Sequence, residues 1–132
     1  MIYLDANIFV YPHTGIGKKS SACIALLEKV TKKELEGGTS VLTWNEVQHS
    51  LKRELGKEKG IEQSKILLTN PGLTWLKATK ESVEKAQEIV EKYNLNPRDA
   101  IHAATALLNN IKEIASDDSD FDKVKELKRI KI

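Results

Sequence analysis

Asp5, Glu46, Asp99 and the run Ser116-Asp117-Asp118-Ser119-Asp120 are the residues of this chain whose types and placement could do chemistry. Each acid stands at a break in an apolar segment. Met1–Leu4 stops at Asp5, Glu46 comes just after Val41-Leu42, Asp99 opens the apolar stretch to Leu108, and the aspartate run follows Ile111–Ala115. Singly, each has a structural explanation: Asp5 or Asn7 as a helix cap, Glu46 and Asp99 as first-turn acids favoured by the helix dipole. Brought together, they would repel unless a cation or a proton compensated. Carboxylates with no thiolate and no necessary imidazole suit hard, oxygen-seeking cations, Mg²⁺ or Mn²⁺. Such ions serve phosphates, so phosphodiester hydrolysis is the reaction class that fits.

Those acids need elements to hold them. Met1–Leu4 reads as a strand, and Ile8-Phe9-Val10-Tyr11 as a short helix or turn closed by Pro12, before a loop marked by Gly15 and Gly17. Lys18–Glu36 reads as an amphipathic helix with Ile24, Leu27 and Val30 on its apolar stripe and Cys23 and Leu26 beside it. Gly37-Gly38 is expected to end it. Thr39–Thr43 is the next strand, with Val41-Leu42 its apolar part, and a helix starts at Trp44-Asn45 with Leu51 and Leu55 buried. Gly56–Gly60 reads as a charged turn, 61–69 as a helix ended by Asn70-Pro71-Gly72, and Leu73–Leu76 as a strand. A helix over Thr79–Tyr93 should bury Val83, Ala86, Val90 and Tyr93. Asn96 as N-cap and Pro97 at the first position place Asp99 in the first turn of a helix apolar nearly all round, which must be buried. A strand over Ile111–Ala115 follows, then the acidic loop pinned by Phe121 and Val124, then an edge strand within Leu127–Ile132.

Short apolar strands alternating with helices imply an α/β fold, three layers (α/β/α) around a central, mainly parallel sheet of four to five strands. In such sheets the site lies beyond the carboxyl ends of the strands, where Asp5, Glu46 and the Asp117-Asp118 pair would emerge and the helix starting near Asp99 could point.

The 132 residues suit one domain, 1–132, with 40% hydrophobic and 30% charged residues, as in a soluble globular protein. A formal net charge of +2, from 21 basic and 19 acidic residues, is too mild to diagnose nucleic-acid binding. Cys23 is the only cysteine, which excludes an intramolecular disulfide and points to a reducing cytoplasm. No apolar run has membrane-spanning length, and no signal peptide is expected. Lys52, Arg53, Lys57, Lys59 and Lys65 could form a phosphate-contacting rim; with Glu54, Glu58 and Glu62 interleaved, a solvated face is the simpler reading.

LDANIF at Leu4–Phe9, the acid Glu46, RDAIHAATAL at Arg98–Leu107 and SDDSDFD at Ser116–Asp122 resemble the four acidic motifs of the PIN-domain nucleases, in order and approximate spacing, over nearly the whole chain. In size the chain resembles the VapC-like toxins of that family. The resemblance implies a PIN-like fold and a Mg²⁺- or Mn²⁺-dependent endoribonuclease acting on RNA, often a homodimer, with an antitoxin as partner. It carries over Asp5, Glu46, Asp99 and Asp118 as the catalytic, metal-holding acids, with Asn7 and Ser116 as supporting polar positions. The register of the fourth motif selects Asp118, leaving Asp117 and Asp120 as auxiliary candidates.

Three alternatives stand beside this. An RNA-processing PIN nuclease would act without an antitoxin, and a non-catalytic module of the same fold would only bind RNA or protein. Glu46-Val-Gln-His49 and Asp99-Ala-Ile-His102 also have the acid-x-x-His spacing of di-iron bundles. That reading fails on the strand-like segments and on the absence of two further helical glutamate ligands. His49 and His102 then read as surface or packing residues.

Overall fold

Five short strands, β1 (Ile2–Leu4), β2 (Gly37–Ser40), β3 (Leu73–Leu76), β4 (Glu113–Ala115) and β5 (Lys128–Ile130), pair side by side in the order β3-β2-β1-β4-β5. Every pairing is parallel. They belong to a computed structural model that describes residues 1–15 and 17–132; Ile16, in the loop expected between Gly15 and Gly17, lies outside the described residues. The helices are α1 (Ala6–Thr14), α2 (Lys18–Thr31), α3 (Thr43–Leu55), α4 (Lys57–Leu68), α5 (Lys80–Tyr93) and α6 (Pro97–Leu108), with a 3₁₀ helix at Ser119–Lys123. Among the described residues, no helix is long and apolar enough to cross a membrane.

A parallel sheet covered on both faces needs apolar residues on both sides of each strand. In β1, Ile2 and Leu4 join a core with Ile8 and Phe9 of α1, Cys23 and Val30 of α2, Val47 and Leu51 of α3 and Leu67 of α4. Tyr3, between them, belongs to the opposite core with Ala86 and Ile89 of α5, Ala100, Ala103, Ala104 and Ala106 of α6, and Phe121. The fold is therefore a three-layer α/β/α arrangement, as expected. The buried α6 is also as expected: its alanines are inaccessible to solvent.

Several local expectations are overturned. Pro12 does not close α1, which runs on to Thr14 with Pro12 inside it. Gly37-Gly38 does not end α2, which stops at Thr31; the two glycines begin β2, and Val41 and Leu42 lie beyond it, exposed. The reason is close approach: a Cβ at Gly37 would meet the Val30 side chain at 2.9 Å. Nor is Gly56–Gly60 a turn: α4 starts at Lys57 and contains Gly60, where a Cβ would lie 2.9 Å from the Lys52 backbone. The missing side chain lets α4 lie against α3. Asn96 precedes α6 without a side-chain capping bond. Val83 and Ile24, both expected in apolar stripes, are exposed, and the buried positions of α5 are Ser82, Ala86 and Ile89.

Candidate active site

The chain builds outward from β1 to β2 and β3, then returns to β1's other side with β4. That reversal opens a crevice at the carboxyl ends of β1 and β4, where parallel sheets place their ligands. Leu4 pairs with Ala115, so Asp5 and Ser116 leave the sheet side by side, and the Asp5 amide still donates to the Ala115 carbonyl at 3.1 Å.

Asp5 is buried and does two things at once. Its Oδ1 accepts from the Ala6 N–H at 2.7 Å as the N-cap of α1, so the capping role and the site role coexist. Its Oδ2 accepts from the Ser116 hydroxyl at 2.6 Å and from Asn7 Nδ2 at 3.2 Å. Ser116 Oγ in turn receives the Asp118 N–H at 3.0 Å, tying the acidic loop to the end of β1. Burial raises the Asp5 pKa above the usual carboxylate value, against the opposing pull of His102, Ser116 and the Ala6 amide.

Glu46 reaches the same place from the first turn of α3. His102 Nε2 donates to its Oε1 at 2.9 Å and lies 3.6 Å from Asp5 Oδ1. His102 is fully buried, and its Nδ1 is hydrogen-bonded to the Tyr3 hydroxyl at 2.5 Å. Burial opposes charge on this imidazole, but Tyr3, the Glu46 hydrogen bond and the Asp5 charge outweigh it and hold its pKa well above the ordinary value. His102, expected as a surface or packing residue, instead joins Asp5 and Glu46 at the site. The available signal was its place three residues after Asp99, on the same face of α6.

Asp99 stands half-buried in the first turn of α6. Its carboxylate, that of Asp118 and that of Asp120 offer oxygens within 4.8 Å of one another; Asp5, Glu46 and His102 form a second such group. Burial, and then the charges of Asp118 and Asp5, push the Asp99 pKa up to about 7. Asp118 caps the 3₁₀ helix by accepting from the Asp120 N–H, and Asp120 pairs with Lys123 at 3.3 Å. Asp117 points elsewhere: the Tyr11 hydroxyl and Lys19 Nζ donate to its Oδ2 at 2.8 and 3.0 Å.

Asp5, Asn7, Glu46, Asp99 and Asp118 all line one open cleft of about 810 Å³. Glu46, His49, Ser50 and Arg53 line its α3 side at helical spacing, and Arg98 stands next to Asp99. Of the basic residues weighed as a rim, only Arg53 lines this cleft; Lys52, Lys57, Lys59 and Lys65 do not. The residues fit a hard cation. The donors are carboxylate oxygens crowded enough that the charges of Asp118 and Asp5 add to burial in raising the Asp99 pKa, and Asn7 Oδ1 is a buried acceptor without a hydrogen-bond partner beside them.

A family model described as PIN domain matches residues 2–127. Ribonuclease VapC2 of Methanocaldococcus jannaschii is 27% identical, over 99% of this chain and 93% of the relative. Mycobacterium tuberculosis VapC20, described as a sarcin-ricin loop cleaving toxin, superposes with a TM-score of 0.79 at 17% identity, over 95% of each chain. A chain of a toxin–antitoxin complex from Klebsiella pneumoniae gives 0.72 at 18% identity over the whole of both chains.

Proposed function

Because the chain belongs to the PIN domain family, we propose that it is a Mg²⁺- or Mn²⁺-dependent endoribonuclease, the toxin of a toxin–antitoxin pair. The observation that carries this reading is the meeting of Asp5, Glu46, Asp99 and Asp118 in one cleft at the strand-order reversal of a parallel sheet. The name of the Methanocaldococcus jannaschii relative supports RNA as substrate, and the toxin–antitoxin complex of similar fold supports a protein partner.

In this reading Asp5, Glu46, Asp99 and Asp118 hold the ion, with Asp120 as an auxiliary ligand, and Asn7 and Ser116 orient Asp5. A bound Mg²⁺ or Mn²⁺ supplies charge neutralisation at the phosphoryl group and lowers the pKa of water. The protein's part is to position. Ser116 and the Ala6 amide fix both oxygens of Asp5, and the loop from Ser116 brings Asp118 opposite Asp99. Arg53 and Arg98, on the cleft wall, are placed to take the flanking phosphates of a single strand. Asp117, paired with Lys19 and Tyr11, anchors the loop and is not a ligand.

A homodimer and an antitoxin partner belong to the same proposal; the exposed Ile61, Ile66 and Leu68 of α4 offer apolar surface for such contacts. Purified protein should cut a short single-stranded RNA internally when Mn²⁺ or Mg²⁺ is present and stop when EDTA is added. Cleavage unaffected by EDTA would overturn the metal assignment. Absence of a small antitoxin reading frame beside the gene would favour an RNA-processing role over the toxin.

A further inference from the structure

Beside the cleft, His102 is hydrogen-bonded through both of its ring nitrogens. It is 1% exposed, comes from α6, and touches residues of three other elements: Tyr3 of β1, Glu46 of α3 and Asp5 at the start of α1. The Ser40 backbone N–H, which can only donate, points to the Tyr3 hydroxyl oxygen at 3.1 Å. Tyr3 therefore keeps its own proton, which a neutral His102 can accept at Nδ1. A neutral His102 accepting there must carry its proton on Nε2, facing Glu46 Oε1. A charged His102 carries protons on both ring nitrogens, so Nδ1–H donates to the Tyr3 oxygen and Nε2–H still faces Glu46 Oε1. The form excluded is the neutral Nδ1–H tautomer, which would set the bare Nε2 lone pair against the Glu46 carboxylate.

We infer that the chain Ser40 N–H, Tyr3 O–H, His102 makes His102 a positioning residue, an obligatory Nε2–H donor that orients Glu46 and is not itself a ligand of the ion. This rests on the assignment of Glu46 as an ion-holding carboxylate. With Oε1 engaged by His102, Glu46 Oε2 has no protein partner among the described residues and is the oxygen left for the cation. Nε2–H also lies 3.6 Å from Asp5 Oδ1, close enough to ease the repulsion between Asp5 and Glu46 without taking an Asp5 oxygen. Buried donors behind ligating carboxylates act this way at other metal centres, where losing one lowers metal affinity about 10- to 100-fold. The polar contacts here span four separate stretches of chain, so the ligand's orientation is set by the fold itself.

The test compares two amides of different reach. In His102→Gln the side-chain Nε2 can still donate to Glu46; in His102→Asn the amide reaches only as far as the imidazole Nδ1 and cannot. Mn²⁺ binding is measured by titration calorimetry on the full chain, with circular dichroism melts to check folding. His102→Asn should bind Mn²⁺ about 10-fold or more weakly, and His102→Gln should recover most of the loss. A merely structural role would shift the melts of the two variants without separating their Mn²⁺ affinities, and would overturn the inference. So would a spin-echo signal of directly bound ¹⁴N in the wild-type Mn²⁺ complex that disappears in His102→Gln. Asp99→Asn, run alongside, distinguishes the two readings. If Asp99→Asn loses Mn²⁺ while His102→Asn binds like the wild type, the positioning role fails and the metal site stands. If the wild type takes up no Mn²⁺, or Asp99→Asn binds it unchanged, the metal site fails and the inference falls with it.

Discussion

Asp99, in the first turn of α6, and Asp118, capping the 3₁₀ helix nineteen residues later in the chain, bring carboxylate oxygens within 4.8 Å of each other, and burial, reinforced by the Asp118 charge, pushes the Asp99 pKa up to about 7. One of these carboxyls therefore keeps a proton at pH values where an isolated aspartate has lost it. The arrangement is stable as a protonated pair or around a cation, and is strained as two bare charges.

Stability of the metal-free protein should therefore fall with rising pH. Asp99 binds a proton more tightly folded than unfolded, so its favourable contribution is complete below about pH 3.9 and is lost as pH rises through about 7. Asp5, raised by burial, acts in the same direction. Asp117 and Asp122, held low by Lys19 and Arg129, act only in the acid range. Urea unfolding in EDTA between pH 5 and 7.5 should show this decline, and Asp99→Asn should flatten it. A wild type that grows more stable over that interval would contradict the crowding of Asp99.

Metal should reverse the effect. In EDTA near neutral pH, Asp99→Asn should be as stable as the wild type or more so by about 1 kcal/mol, because a repelling charge is gone. At a hundredfold excess of Mn²⁺ over its dissociation constant the wild type should gain about 2.7 kcal/mol, and Asp99→Asn much less. If Asp99 served only the helix dipole, the variant would be the less stable protein and Mn²⁺ would move neither melt.

Arg129 should matter more than its edge-strand position suggests. Its side chain is 7% exposed; Nε and Nη2 both donate to Asp122 at 2.9 Å, and Nη1 donates to the Ser116 carbonyl at 3.2 Å. Arg129→Ala should cost about 1.5–3 kcal/mol in chemical denaturation. Breaking the exposed Lys80–Glu84 pair by Lys80→Ala should cost about 0.5 kcal/mol or less. Equal effects would mean that the loop bearing Asp118 does not depend on this clamp.

The cleft wall predicts which cations meet RNA. Arg53→Ala and Arg98→Ala should each lower the salt slope of single-strand binding by about 0.7, measured by fluorescence anisotropy on an uncleavable analogue. Lys57→Ala and Lys59→Ala, which lie off the cleft, should leave it unchanged. A slope altered by the lysines and not by the arginines would move the RNA path away from α3.

The layers were legible because a two-sided parallel sheet leaves apolar runs: Ile2–Leu4 and Leu73–Leu76 appear as strands in the sequence and in the molecule. β2 was misplaced because half of it is glycine, and only the side chains of Val30 against Gly37 and Met1 against Gly38 explain why glycine belongs there. Gly60 misled in the same way, its reason being the backbone of α3. Asp5, Glu46, Asp99 and Asp118 could be picked out because each follows a strand or opens a helix, positions that a linear chain displays. The spacing of His102 from Asp99 was visible, but its role was not, since that depends on Glu46, 56 residues away, and on Tyr3, 99 residues away. Nor could Asp117 be separated from Asp118 except by register, because Tyr11 and Lys19 come to it from α1 and α2.

In the proposed function, Asp5, Glu46, Asp99 and Asp118 hold the ion that RNA hydrolysis requires. Single-turnover cleavage of a short RNA at saturating Mn²⁺, comparing the wild type with Asp5→Asn and Asp99→Asn of intact circular dichroism spectrum, tests it most directly. Each variant should lose about 100-fold or more in rate, roughly 2.7 kcal/mol of transition-state stabilisation. Wild-type rates in both folded variants would contradict it.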